Sequence, residues 1–351
     1  MTARFQIGSR EVGPDASVYI IAELSANHNQ DFERAVQTIR AAKDAGADAV
    51  KLQTYTPDTI TLASDRDEFR INAGTLWDGR TLHDLYREAF MPWEWQPRLK
   101  KAAEDLGLDL FSTAFDSTAV DFLDEMNVMV HKVASFELVD VPLIQKMART
   151  GKPLIMSTGM ATAEEIEEAV QSAREAGTTQ IALLKCTSAY PAPAEDMNLR
   201  TIPEMMRHFG VPIGLSDHTM GIAAPVAAVA LGACIIEKHL TLSRSHPGPD
   251  SAFSLEPDVF KSMVEAVRIA EKALGTVCFG AAGKQQSGKS FRRSLFVVED
   301  IAQGAEFTRS NLRSIRPGHG LHPRHLPEML GKRAAKNIKK GTPLNWDHVE
   351  Q

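Results

Sequence analysis

Eight short, β-rich apolar runs recur along the first 275 residues, each followed by a stretch with helical periodicity. They are VYIIAE (18–23), DAVKLQ (48–53), LDLFST (108–113), VMVHKVA (128–134), PLIMST (153–158), IALLKC (181–186), VPIGLS (211–216) and ACIIEKH (233–239). Apolar runs without strict alternation mark strands buried on both faces, and so a parallel sheet covered by helices. The stretch TAEEIEEAVQSAREAG carries the helical signals clearly. Thr162 and Glu165 stand at capping-box spacing, Ile166, Val170 and Ala173 share one face, and Gly177 follows. Eight such units fit an α/β fold, a (β/α)8 TIM barrel, better than an open sheet of six strands.

Two departures from the repeat bear on organisation. About 40 residues separate DAVKLQ from the helix after MPWEWQ, and a connection that long at the C-terminal side of a barrel strand predicts a substrate wall or lid. Near residue 275 the composition turns to Gly, Ser and Lys, which predicts a linker over 276–290 and a separate small module over 291–351. The module holds an internal echo: DIAQGAEFTRSNL and NIKKGTPLNWDHV share Ile-x-x-Gly-x-x-apolar-x4-apolar. Paired turn-and-strand units of this size predict a β-rich fold with pseudo-twofold character.

The net charge of −6 argues against general nucleic-acid binding, and no apolar run reaches membrane-spanning length. With no basic leader followed by an apolar core, the expected location is cytoplasmic. Cys186, Cys234 and Cys278 cannot all pair, and the first two stand in apolar runs as expected buried thiols.

In a barrel the residues closing each strand share one mouth. Here they include Glu23, Lys51, Gln53, Thr113, Lys132, Ser135, Ser157, Lys185, Ser188, Ser216, His218, Glu237 and His239. Lys51, Lys132 and Lys185 sit within strands, where an unpaired charge is costly, so anionic partners are required. Internal carboxylates, a bound phosphate or carboxylate, or a Schiff-base lysine would each answer that need, and the many hydroxyls favour phosphate. His218 and His239 close consecutive strands about 5 Å apart by sheet geometry. That spacing allows one open divalent-metal site, and it equally allows two unrelated structural histidines.

The motifs AELSANHN, DAVKLQTYTPD, TLWD, PWEW, HKVASFEL, STGMAT, LLKCTSAYP, GLSDHT, IEKHLTL and PDSAFSLEP together resemble the nonulosonic (sialic) acid synthases. AELSANH and SFEL are similar to the pseudaminic branch, and RSLFVVEDI…IRPGHGL…LGKRAAKNIKKGTPL resembles the antifreeze-like SAF domain of that family. The resemblance implies condensation of phosphoenolpyruvate with an open-chain amino sugar and water, giving a nine-carbon 2-keto acid and phosphate. For the pseudaminic branch the sugar is 2,4-diacetamido-2,4,6-trideoxy-L-altrose; the legionaminic and N-acetylneuraminic branches are the alternatives. It further implies a divalent metal (Mn2+, Co2+ or Mg2+) on His218 and His239, polarising the sugar aldehyde. Thr113, Lys132, Ser135, Ser157, Ser188 and Ser216 would hold the phosphate, and Lys51 the carboxylate, of phosphoenolpyruvate. Glu23, with Lys51 and Glu237 beside it, would manage the proton of the attacking water. Gln53, Tyr190, Asp250 and Arg316 would contact the sugar, Arg316 from the partner subunit of a domain-swapped homodimer. Ser188 departs from the asparagine usual on the neuraminic branch.

Overall fold

The computed structural model describes residues 5–280 and 283–350, apart from the side chain of residue 284. The chain divides into two compact units, residues 1–275 and 276–351.

In the first unit eight parallel strands close on themselves: β1 (Tyr19–Glu23), β2 (Ala49–Thr54), β3 (Asp109–Ala114), β4 (His131–Val133), β5 (Leu154–Ser157), β6 (Ile181–Cys186), β7 (Ile213–Asp217) and β8 (Ile235–His239). The eight predicted strands are these eight. Each is followed by a helix: α1 (Phe32–Asp44), α2 (Gln96–Asp105), α3 (Ser117–Glu125), α4 (Val141–Arg149), α5 (Ala163–Glu175), α6 (Thr201–Phe209), α7 (Ala223–Ala230) and α8 (Pro257–Leu274). Helix α5 opens on the expected capping box, the Thr162 hydroxyl accepting from the Glu165 amide and the Glu165 carboxylate from that of Thr162. Ile166, Ala169, Val170 and Ala173 are buried on its inner face. At the other end Gly177 takes φ 117°, a turn in which a side chain would be strained.

Closure between β8 and β1 sets His239 against Glu23, and the β1–β2 register sets Glu23 against Lys51. Across β2–β3 Gln53 faces Thr113, and across β3–β4 Thr113 faces Lys132. The register thus ties the polar strand ends into one ring, while apolar residues nearer the strand starts fill the core.

A short antiparallel hairpin, Phe5–Ile7 with Arg10–Val12, precedes the barrel and was not foreseen; Phe5, Ile7 and Val12 pack into the core. Among the described residues no helix is long and apolar enough to cross a membrane.

The second unit contains β9 (Ser294–Val297) paired antiparallel with β10 (Leu312–Ile315), and a run of 3-10 turns over Gly283–Phe291. Residues 281 and 282 of the expected linker lie outside the described residues. The two echoed segments meet directly: Ile301 and Ile338 exchange both backbone hydrogen bonds at 2.8 Å. The repeated apolar positions, Ile301, Phe307, Leu312 and Ile338, Leu344, Val349, are all buried in one cluster. The repeat in sequence is therefore a repeat in packing.

Candidate active site

A cavity of about 490 Å³ occupies the C-terminal mouth of the barrel. Lys51, Gln53, Thr113, Lys132, Ser135, Ser157, Tyr190, Ser216, His218, Glu237, His239 and Asp250 all line it. The long connection after β2 supplies a largely apolar wall from Ile60, Ile71, Trp77, Leu82 and Leu85. Trp77 is held in place by its indole N–H, which donates to the Pro249 carbonyl at 3.1 Å.

Glu23 lies fully buried beneath this floor. Its carboxylate meets the Lys51 ammonium at 2.7 Å, and Lys51 also reaches Glu237 at 3.6 Å and donates to Thr113 Oγ1 at 3.0 Å. Burial pushes Glu23 up to about 7, only partly offset by Lys51. Burial also acts upward on Glu237, but Lys132, Lys51 and His218 outweigh it and hold that carboxylate below its ordinary value. Two neighbouring carboxylates are thus driven apart, one towards a proton and one towards charge, which is the pattern of an acid/base pair. Lys51 itself is raised: burial acts downward, and Glu23 and Glu237 overcome it. For Lys51 the anionic partners demanded by the sequence are therefore internal carboxylates.

Lys132 differs. Its ammonium donates to Ser157 Oγ at 2.7 Å and to the Val133 carbonyl at 2.8 Å, with no carboxylate in ion-pairing distance among the described residues. Burial lowers it to about 8. Ser135 and Ser188 converge on Gly159: the Gly159 amide donates to Ser135 Oγ at 3.2 Å, and a Cβ there would lie 2.3 Å from Ser188 Oγ. Only glycine lets the two hydroxyls approach. A cation flanked by hydroxyls, with a bond still to offer, suits a phosphate.

The imidazoles of His218 and His239 have ring centroids 5.2 Å apart. The Nδ1 of His218 lies 3.0 Å from the Thr187 carbonyl, which can only accept, so Nδ1 carries a proton. Burial acts downward on this imidazole, but Cys186, the Thr187 carbonyl and Glu237 outweigh it and raise His218 above its ordinary value. His239 is set through two links. Ser25 bonds to the Asp250 carboxylate, so its oxygen accepts from His239 Nδ1 at 3.2 Å, and Nε2 of this neutral ring keeps a lone pair. Burial and the neighbouring His218 hold His239 neutral, well below the usual imidazole range. Ser25 performs this task at φ 45°, a strained conformation for serine. Two neighbouring imidazoles with committed Nδ1 atoms leave their Nε2 atoms as the donor set for a divalent ion that keeps open positions, an ion that would displace the second proton of His218. No third His, Cys, Asp or Glu joins them as a metal-binding group among the described residues.

Lys185, expected at the mouth, and several polar side chains near the strand ends stand elsewhere. Lys185 does not share the cavity with Lys51 and Lys132; strand alternation turns it outwards and puts Cys186 into the lumen. Ser112 bonds Thr54 behind the sheet, and His28 packs edge-on to Trp95. Asn27 ties its loop to the Leu240 carbonyl and Ser254. Arg316 belongs to the second unit, directly after β10. Glu137, which the sequence reading passed over inside SFEL, also lines the cavity, with burial raising it to about 7.

A parallel eight-stranded barrel with lysines, hydroxyls, paired carboxylates and two imidazoles at its C-terminal mouth is the site of an anion-handling barrel enzyme. The chain belongs to the NeuB family, which it matches over residues 38–278, and residues 292–350 match the SAF domain. It is 47% identical to the pseudaminic acid synthase of Helicobacter pylori, over 95% of this chain and 98% of that one. To the pseudaminic acid synthase of Campylobacter jejuni subsp. jejuni serotype O:2 it is 46% identical, over 97% and 98%. The crystal structure of an N-acetylneuraminic acid synthetase from Leptospira borgpetersenii, in complex with citrate, superposes with a TM-score of 0.73 at 31% identity, covering 82% of this chain and 95% of that one.

Proposed function

We propose that this protein is a cytosolic pseudaminic acid synthase, condensing phosphoenolpyruvate with 2,4-diacetamido-2,4,6-trideoxy-L-altrose and water to give pseudaminic acid and phosphate. The observation that carries the reading is the convergence of Lys51, Lys132, four serine and threonine hydroxyls and two imidazoles on one cavity. Near-full-length likeness to synthases of that name supports the choice of sugar. The apolar wall after β2 supports a 6-deoxy sugar, whose methyl group needs no hydrogen-bond partner.

Lys132 with Thr113, Ser135, Ser157, Ser188 and Ser216 holds the phosphate, and Lys51 faces the carboxylate. A divalent ion on Nε2 of His218 and His239, Mn2+, Co2+ or Mg2+, would supply Lewis-acid polarisation of the sugar aldehyde. Carbon three of phosphoenolpyruvate bonds to the aldehyde carbon, water adds at carbon two, and the bond to phosphate breaks. Glu23 takes the proton of that water, its affinity for a proton near neutrality suiting the task. Glu237 stays ionised and balances Lys51 and Lys132. Gln53, Tyr190 and Asp250 contact the sugar, with the Tyr190 ring packed at a tilt against His218, centroids 4.4 Å apart. Arg316 completes the site from the partner subunit of a domain-swapped homodimer, with residues 1–275 catalytic, 276–290 as linker and 291–351 as the SAF module.

Phosphate release across a panel of amino sugars tests the reading. The 6-deoxy altrose substrate is expected to be preferred; preference for N-acetylmannosamine, or for the legionaminic precursor, would reassign the branch.

A further inference from the structure

The catalytic pocket leaves Lys185 unused. Its side chain borders a second cavity of about 400 Å³, at the ends of β5 and β6 and against α5 and α6. Met160, Ile166, Met205 and Phe209 give this cavity apolar walls. The ammonium donates to the Cys186 carbonyl at 2.7 Å and to Thr187 Oγ1 at 3.2 Å. Among the described residues no carboxylate pairs with it: Glu204, on the same cavity, is committed to Arg207. A half-buried cation among apolar side chains, without a carboxylate partner, is stabilised by an anion that brings its own apolar body. One lysine matches a monoanion better than a phosphate dianion.

We propose that this cavity is a second ligand site, for a small monocarboxylate with an apolar body, and that its occupancy is transmitted to His218. Thr187 is the link. Its hydroxyl accepts from Lys185, and its carbonyl accepts from His218 Nδ1 at 3.0 Å. A carboxylate drawing the ammonium towards itself competes with the Thr187 hydroxyl and moves the peptide that orients the imidazole. Cys186 forms part of the wall between the two cavities and lines both.

Calorimetric titration of the full chain with 3-phenylpropionate tests the site, with 3-phenylpropan-1-ol and inorganic phosphate as comparisons. One saturable site is expected for the carboxylate alone, unaffected by saturating phosphoenolpyruvate. Lys185→Met removes a charge-assisted bond and is expected to weaken binding about 10- to 100-fold. Met205→Trp fills the cavity with Lys185 intact and is expected to abolish binding; circular dichroism and thermal melting establish that both variants fold. Equal affinity in the wild type and Lys185→Met, or displacement of the probe by phosphoenolpyruvate, overturns the site. The link is read in the ring 15N signals of His218, assigned with His218→Gln. They are expected to shift on addition of the probe, and unmoved signals at saturation overturn the coupling.

Discussion

Asp217 and Lys238 form an ion pair with side chains 0% and 1% exposed, on the outer side of two strands whose next residues are His218 and His239. They face each other in the β7–β8 register. Asp217 also accepts from the Thr219 amide at 2.9 Å and its hydroxyl at 3.1 Å, and Lys238 reaches the Thr219 carbonyl. Both flanks of His218 are therefore clamped from behind while its ring points into the cavity. Alternation does the rest: what the pair fixes outside, the imidazoles inherit inside.

Breaking this pair by Lys238→Met leaves Asp217 buried and uncompensated, a cost of about 3–5 kcal/mol. The double variant Asp217→Asn with Lys238→Met removes both charges and is expected to recover most of that loss. Urea unfolding of the three proteins measures it. Equal stability of the single variant and wild type would falsify the clamp.

Glu23 should set the acidic limb of the pH profile. Its folded-state value near 7 lies above the ordinary 4.5, so the native state holds a proton that the unfolded chain releases. That stabilisation is complete below about 4.5 and is lost as pH rises to about 7. Glu23→Gln is therefore expected to gain stability over wild type at pH 8 and not at pH 4. Its turnover is expected to drop about 10²- to 10⁴-fold with loss of the limb near 7. Melting and initial-rate profiles across pH check both halves.

Lys132 is the cation with a bond to spare. Lys132→Met is expected to weaken phosphoenolpyruvate binding about 10- to 100-fold, the value of one charge-assisted hydrogen bond. The sugar KM should change much less. Isothermal titration with phosphoenolpyruvate, without sugar, separates this from a general loss of structure.

Chelation is expected to abolish phosphate release, and Mn2+ to restore it. His239→Ala should lower Mn2+ affinity by about tenfold or more, read by the electron paramagnetic resonance of free Mn2+. Ser25→Ala frees the His239 tautomer and should lower the same affinity by a smaller factor. Full turnover in metal-free enzyme removes the metal from the mechanism.

The eight strands were legible because each lies in an apolar run followed by a helical stretch, and the repeat marks even the three-residue strand His131–Val133. The hairpin at Phe5–Ile7 and Arg10–Val12 has three residues a side and takes its stability from the core it joins, so it left no periodic trace. Lys185 was misplaced by reading strand ends as a group, although counting by twos from Cys186 places it outside. Glu137 escaped notice because it sits in a 3-10 turn, Ser135–Glu137, where strand periodicity does not apply. Asp250, 227 residues from Glu23, reached the sequence reading only through a resemblance to known synthases.

Local pattern by itself determined the order of strands and helices, the two-part chain and the echo within its second part, because periodicity, caps and turn residues act between neighbours. Tertiary structure alone decided the protonation states. Glu23 and Glu237 are the same residue type, each closing or nearly closing a strand, yet burial lifts the first and Lys132 with Lys51 holds down the second. Barrel closure brings these groups within a few ångströms in a space of low polarity, where charge and desolvation compete strongly, and no spacing along the chain encodes that balance.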